Sequence, residues 1–198
     1  MQRNERENRV TDLPSTKALQ AELDRVNSRR SWRHALRSTL YSLLAVAAVS
    51  VLVAVLFLPV LQIYGTSMTP TLREGEIVLA VKSSDFSVGD LAAFYYNNRI
   101  LVKRVVGLPG DWMDIGADGT VYRNGEPLSE PYLSEKAPGE WDIELPCQVP
   151  ENRFFVLGDH RAVSVDSRSS VIGYVSEEQL VGRIIFRVFP FRSLGRVR

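Results

Sequence analysis

Hydrophobic and polar positions divide this chain into three stretches. Residues 1–37 are polar and highly charged. A helix from Pro14 to Arg37 fits the residue types, but Ala18, Leu19, Leu23 and Val26 are too sparse to make a strong apolar face, so a loosely ordered polar tail is expected. Residues 38–61, STLYSLLAVAAVSVLVAVLFLPVL, change character completely, and no charged residue lies between Arg37 and Arg73. A helix of about 20 apolar residues covers the roughly 30 Å hydrocarbon layer of a bilayer. The run is apolar on every face, and a domain this small could not wrap it as a core helix. It is also too long, and too far from Met1, for a removable signal peptide. It predicts a retained signal anchor that crosses the membrane once.

Residues 62–198 read as β-rich. EIVLAVK from Glu76, DLAAFYY from Asp90, RILVKRVVG from Arg99, RFFVLGD from Arg153 and LVGRIIFRVF from Leu180 are short apolar or alternating runs between turn residues. Asp118-Gly119 and Asn124-Gly125 bracket TVYR and mark a small hairpin region. Helical periodicity is absent after the apolar span. The expected architecture is an all-β domain over 62–198, carried on the anchor at 38–61, with the polar tail at 1–37.

Charge orients the anchor. Arg25, Arg29, Arg30, Arg33 and Arg37 crowd its N-terminal side, and no basic residue follows it until Arg73. The positive-inside rule places the tail in the cytoplasm and residues 62–198 outside. The chain has 24 Lys+Arg against 23 Asp+Glu, a net charge of +1, which gives no reason to expect a nucleic-acid partner. The single cysteine, Cys147, cannot form an internal disulfide and reads as a small, partly buried apolar residue. No pair of His or Cys residues has metal-ligand spacing, so neither a metal nor another cofactor is expected.

Three segments carry candidate chemistry: GTSMTPTL at 65–72, VKRVVGLPGD at 102–111 and GDHRAVSVDSR at 158–168. Ser67 lies within ~20 Å of the end of the apolar span even if the chain between is fully extended. A serine hydroxyl is a weak nucleophile and needs a base within hydrogen-bond reach. By the topology argument His34 is on the other side of the membrane, which leaves His160 or Lys103. Lys103 interrupts an apolar strand pattern. Either its amine reaches solvent at a strand edge, or it is buried, which lowers a lysine pKa by roughly 3–5 units. A pKa of ~7 would make the amine a base near neutral pH. Asp159, Arg161, Ser164, Asp166, Ser167 and Arg168 read either as a solvated loop or as a packed ion-pair network that steadies the lysine strand, with Ser164 able to hydrogen-bond the amine.

In these segments the chain resembles the type I signal peptidases, membrane-anchored Ser–Lys proteases of the S26 family. The resemblance rests on Ser67-Met68-x-Pro70-Thr71-Leu72, on Lys103-Arg104-Val105-Val106-Gly107-Leu108-Pro109-Gly110-Asp111, and on Gly158-Asp159-x-Arg161-x-x-Ser164-x-Asp166-Ser167-Arg168, in that order. It implies a coiled antiparallel β domain lying against the bilayer. It implies Ser67 as nucleophile and Lys103 as general base, with Ser164 orienting the lysine. Asp166 and Arg168 would form a supporting salt bridge, and Asp159 and Arg161 would belong to the same network. The oxyanion would be held by the Ser67 amide. Substrates would be exported preproteins with small residues at −1 and −3, close to the secretion translocon. Gly65, Leu101 and Val102 would clamp them as an added strand, and Met68 and Leu72 would help form shallow apolar pockets.

Two departures from the family pattern stand out. Some members carry a hydroxyl residue two positions before the nucleophile, where this chain has Gly65, as is common in relatives from Gram-positive bacteria. His160 replaces the usual Asn and is read as part of the polar network.

Three other functions compete. One is a serine protease that uses His160 with Asp159 or Asp166. A second is a self-cleaving Ser–Lys regulator, disfavoured by the span and by the lack of a DNA-binding module. The third is a catalytically inactive, membrane-anchored peptide-binding module; a purely structural anchor protein is disfavoured further, because nothing in that role demands a lysine within an apolar strand.

Overall fold

A computed structural model describes residues 15–197. Residues 1–14 of the expected tail, and the side chains of Arg29, Arg30 and residues 54–57, lie outside the described residues. The chain divides into two units, Met1–Val53 and Ala54–Arg198.

From Thr16 onward the first unit belongs to one helix. α1 runs Thr16–Phe57, so the residues expected to form a loose tail are helical from Thr16 onward. The reason is local: 16–57 contains no Gly or Pro, and Ala, Leu, Arg and Glu hold a helix without an apolar stripe. Ser15 caps its start, its Oγ accepting the Ala18 N–H at 3.3 Å. By length and composition this helix can cross a membrane. Its apolar side chains, among them Leu43, Leu44, Val46, Val49 and Leu52, are exposed.

The second unit is mainly β and antiparallel throughout. Its strands are β1 (Val60–Gln62), β2 (Ile77–Val81), β3 (Leu91–Tyr96), β4 (Arg99–Gly107), β5 (Trp112–Ile115), β6 (Val121–Arg123), β7 (Glu126–Pro127), β8 (Cys147–Gln148), β9 (Arg153–Leu157), β10 (Val175–Ser176), β11 (Leu180–Phe189) and β12 (Gly195–Arg196). The stretch expected to span the membrane thus overlaps β1 at Val60 and Leu61. Where one coiled sheet was expected, the strands form two open ones. The larger has the order β1-β2-β11-β3-β4-β9-β10, with β12 on β11; the smaller has the order β7-β6-β5-β8. The turn between β6 and β7 is Asn124-Gly125, both at positive φ as a tight hairpin requires.

The core explains why β3 reads as a continuous apolar run. Leu91 and Ala93 pack on one face of the larger sheet, with Met68, Leu72, Val78 and Ile184. Ala92 and Phe94 pack on the other, with Phe86, Val105 and Val156. A strand buried on both faces loses the alternation seen in half-exposed strands. A third cluster, with Val106, Met113, Val121, Phe155 and Leu157, joins the larger sheet to the smaller one.

Candidate active site

Ser67 sits on the turn that follows β1. Met68 (2% exposed) and Leu72 (0%) plug into the core and anchor that turn, whose frame is closed by the Leu72 N–H on the Met68 carbonyl at 2.8 Å. Burying these neighbours leaves Ser67 half-buried on the wall of a cavity of about 770 Å³. Gly65, Met68, Leu101, Val102 and Lys103 line the same cavity. Leu72, expected in the substrate pockets, is instead packed in the core beneath them and is not among the lining residues. Gly65 has φ +79, with nothing within 4 Å of a would-be Cβ. Backbone conformation therefore favours glycine here, and a residue bearing a side-chain hydroxyl would be strained.

Lys103 lies in β4 opposite Ala92 and is 4% exposed. Its Nζ donates to Ser164 Oγ at 2.8 Å. Burial lowers its pKa to about 8; the Asp166 carboxylate pulls the value back up, Arg168 lowers it, and Asp159 raises it. The nearby carboxylates oppose the lowering that burial produces. Ser67 makes no side-chain hydrogen bond to Lys103; the two meet as walls of one cavity.

The segment after β9 is a packed network, not a solvated loop. Asp159, Arg161, Ser164, Asp166, Ser167 and Arg168 are all buried. Arg168 grips Asp166 with Nε and Nη2, both at 2.8 Å, and also donates to the Ser164 carbonyl at 3.2 Å. Asp166 in turn accepts the Gly158 N–H at 3.0 Å. Such pairs replace lost hydration only when every charge is matched, as here.

Several residues of this network had no assigned role in the sequence. Arg104 donates twice to Asp159, at 2.8 and 2.6 Å. It also donates to Thr71 Oγ1 at 3.2 Å and stacks 3.8 Å from the Tyr132 ring centroid. Arg161 pairs with Glu130, from a segment that carries no motif. Asp111, the remaining acid of the motif segments, pairs instead with Arg123 at 2.6 Å.

Gly158 has no room for a side chain. A Cβ there would stand 2.1 Å from Ser164 Oγ and 2.6 Å from the Ser67 carbonyl oxygen. Only glycine lets the serine turn and the lysine-holding serine close on one another. His160 joins through its backbone, its N–H donating to the Ser67 carbonyl at 3.0 Å while the residue itself is exposed.

β4 has an unusual edge. β3 pairs with it from Arg99 to Arg104. On its other side β9 pairs only from Arg104 onward, so among the described residues 99–103 have no strand there. This free edge borders the cavity that Ser67 lines. Among the described residues no group of three or more His, Cys, Asp or Glu is placed to hold a metal ion.

A buried amine beside a half-buried serine, with an open strand edge alongside, is a layout for amide hydrolysis without a metal or a histidine. Comparison with known proteins agrees. The family model described as signal peptidase, peptidase S26, matches residues 36–189. Signal peptidase I of Bacillus licheniformis is 36% identical over 167 residues, which are 78% of this chain and 88% of that protein. Signal peptidase IB of Staphylococcus aureus strain Mu50 is 37% identical over 149 residues, 65% of this chain and 76% of that protein. The crystal structure of a signal peptidase I from Enterococcus faecalis V583 aligns with a TM-score of 0.44 at 32% identity, covering 50% of this chain and 96% of that one. With most of its length matched and more than a third of the aligned residues shared, the chain belongs to the S26 signal peptidase family.

Proposed function

We propose that Ser67 and Lys103 are the nucleophile and general base with which this chain, a serine endopeptidase of the signal peptidase I type, removes signal peptides from exported proteins. The observation that carries the assignment is the Lys103 amine, buried and lowered to a pKa of about 8, on the wall of the cavity that Ser67 also lines. An amine of that pKa is neutral in about a tenth of molecules at pH 7 and in half at pH 8.

The mechanism follows from the groups present. Neutral Lys103 takes the Ser67 proton as Oγ attacks the carbonyl of the −1 residue. The Ser67 N–H, which has no backbone acceptor among the described residues, donates to the developing oxyanion. Lys103 then protonates the leaving amine. It next takes a proton from the water that hydrolyses the acyl-enzyme. Ser164 positions the amine; Asp166 and Arg168 hold Ser164, and Asp159 and Arg161 hold the surrounding loop.

The substrate adds as a strand on the free edge at 99–103, next to Leu101, Val102 and Gly65. Side chains at −1 and −3 face Val102 and Met68, with Leu72 supporting Met68 from within the core. A shallow apolar wall there favours small residues. The apolar part of α1, from residue 38 to Phe57, anchors the protein in the bilayer with the tail in the cytoplasm and the β unit outside, where exported chains leave the translocon.

The test is cleavage of a purified preprotein by wild-type, Ser67→Ala and Lys103→Ala enzymes, with N-terminal sequencing of the product. A single cut after a small residue, lost in both variants, is expected. Cleavage that survives either substitution overturns the assignment.

A further inference from the structure

Residues 128–146 leave the smaller sheet at β7 and return to it at β8. Between the two strands they cross the polar network. Glu130 makes the first contact: its two carboxylate oxygens accept from Nη1 and Nη2 of Arg161, and both side chains are 1% exposed. Tyr132 Oη donates to the same carboxylate at 2.8 Å, and the tyrosine ring centroid lies 3.8 Å from the Arg104 guanidinium. One short segment thus touches an arginine of the 158–168 loop and the arginine that follows Lys103 in β4. Further along, the Pro138 carbonyl accepts from Arg168 Nη1 at 2.6 Å, and the Asp142 N–H donates to the Arg168 carbonyl at 3.1 Å.

Arg161 carries the first contact inward. Its Nε donates to the Gly158 carbonyl at 3.0 Å, while the Gly158 N–H is held by Asp166. Gly158 is also where the Ser67 turn and the Ser164 hydroxyl close on one another. Glu130 therefore sets the guanidinium, and the guanidinium sets the Gly158 peptide. That peptide sets the spacing between the nucleophile's turn and the hydroxyl that holds the Lys103 amine. A buried ion pair adds little net stability over apolar residues of the same size. What it does supply is direction, because a two-point grip leaves a planar guanidinium one orientation.

We propose that Glu130, held by Tyr132, is a positioning residue for the Ser67–Lys103 pair and acts through Arg161 and Gly158. The proposal rests on the dyad reading. Without the carboxylate the buried guanidinium turns toward another acceptor. The Gly158 carbonyl is then released, and the Ser67 turn drifts from the amine. A displacement of about 1 Å at reacting atoms costs on the order of 100-fold in rate. The free edge of β4 does not depend on this link, so the loss falls on kcat and not on KM.

The experiment uses the full-length enzyme in detergent and one purified preprotein, with kcat, KM and the denaturant midpoint measured on each preparation. Glu130→Gln, nearly isosteric, is expected to lower kcat about 30-fold or more, with KM within about threefold of the wild type. Arg161→Gln lowers kcat at least as far, and the double variant falls no further than Arg161→Gln alone, because both act through one link. Tyr132→Phe keeps the ring beside Arg104 but removes the bond to Glu130; it lowers kcat about three- to tenfold and serves if Glu130→Gln fails to fold. Glu135→Gln, at an exposed acid of the same segment, changes neither constant. The proposal is overturned if Glu130→Gln lowers the midpoint yet keeps kcat within about threefold, which makes the pair structural only. It is equally overturned if the loss lies in KM, or if the losses of Glu130→Gln and Arg161→Gln multiply in the double variant. Failure of the dyad reading is a separate result: Ser67→Ala would then still cleave, whatever residue occupies position 130.

Discussion

Lys103 Nζ donates to Ser164 Oγ at 2.8 Å, across 61 positions of sequence. The acceptor is itself held, since the Ser164 N–H donates to the His160 carbonyl at 3.1 Å and its own carbonyl accepts from Arg168. A flexible four-carbon side chain is thereby given one resting direction inside a strand. Orientation and desolvation come from the same contact region, and catalysis needs both.

The rate should follow deprotonation of this amine. Only the neutral form accepts the serine proton, so kcat/KM rises with pH through an apparent pKa near 8 and falls about tenfold per unit well below it. A pH series on a preprotein substrate measures this. A profile without a limb near pH 8 would argue against a lysine base.

Lys103→Arg should be as inactive as Lys103→Ala. Guanidinium keeps its proton at any pH the fold survives. Preprotein cleavage at pH 9 checks it, and activity within tenfold of the wild type would refute a lysine base.

Lys103→Met should stabilise the catalytic unit while abolishing activity. The folded pKa of Lys103, about 8, lies below the ordinary 10.5, so the unfolded state binds the extra proton between those values. Its cost to stability is therefore full below pH 8 and fades as pH rises toward 10.5. At pH 7 the substitution should gain about 1–3 kcal/mol. Denaturant unfolding at pH 7 and pH 10.5 should show the gain shrinking.

Asp159→Ala should destabilise by about 3–5 kcal/mol, because it strands the Arg104 guanidinium, which is 1% exposed, without its partner. Denaturant midpoints report it. A change under 1 kcal/mol would mean that Arg104 had found other support.

Gly158→Ala should leave the sheets formed but lower kcat about 100-fold or more, since the new Cβ pushes apart the Ser164 hydroxyl and the Ser67 carbonyl. Circular dichroism and kinetics on the same preparation separate folding from catalysis.

Much of this was legible in the residues. RILVKRVVG and LVGRIIFRVF coincide with β4 and β11, because β-branched runs between turn residues have few other uses. The anchor could be read from composition alone. Other features resisted. The helix at 16–37 lacks the periodicity that marks a packed face, and only the absence of breakers favours it. The resemblance implied a binding wall for Leu72, yet the turn after Ser67 carries it into the core. Glu130 could not be found from motif reading, since it meets Arg161 only through the tertiary fold.

If the substrate adds to the bare edge of β4 as proposed, one enzyme can serve many clients. What lies open there is a row of amide groups, and every polypeptide carries the matching row. Recognition through the shared backbone tolerates almost any mature protein downstream, and leaves discrimination to the few side chains that must fit beside the hydroxyl.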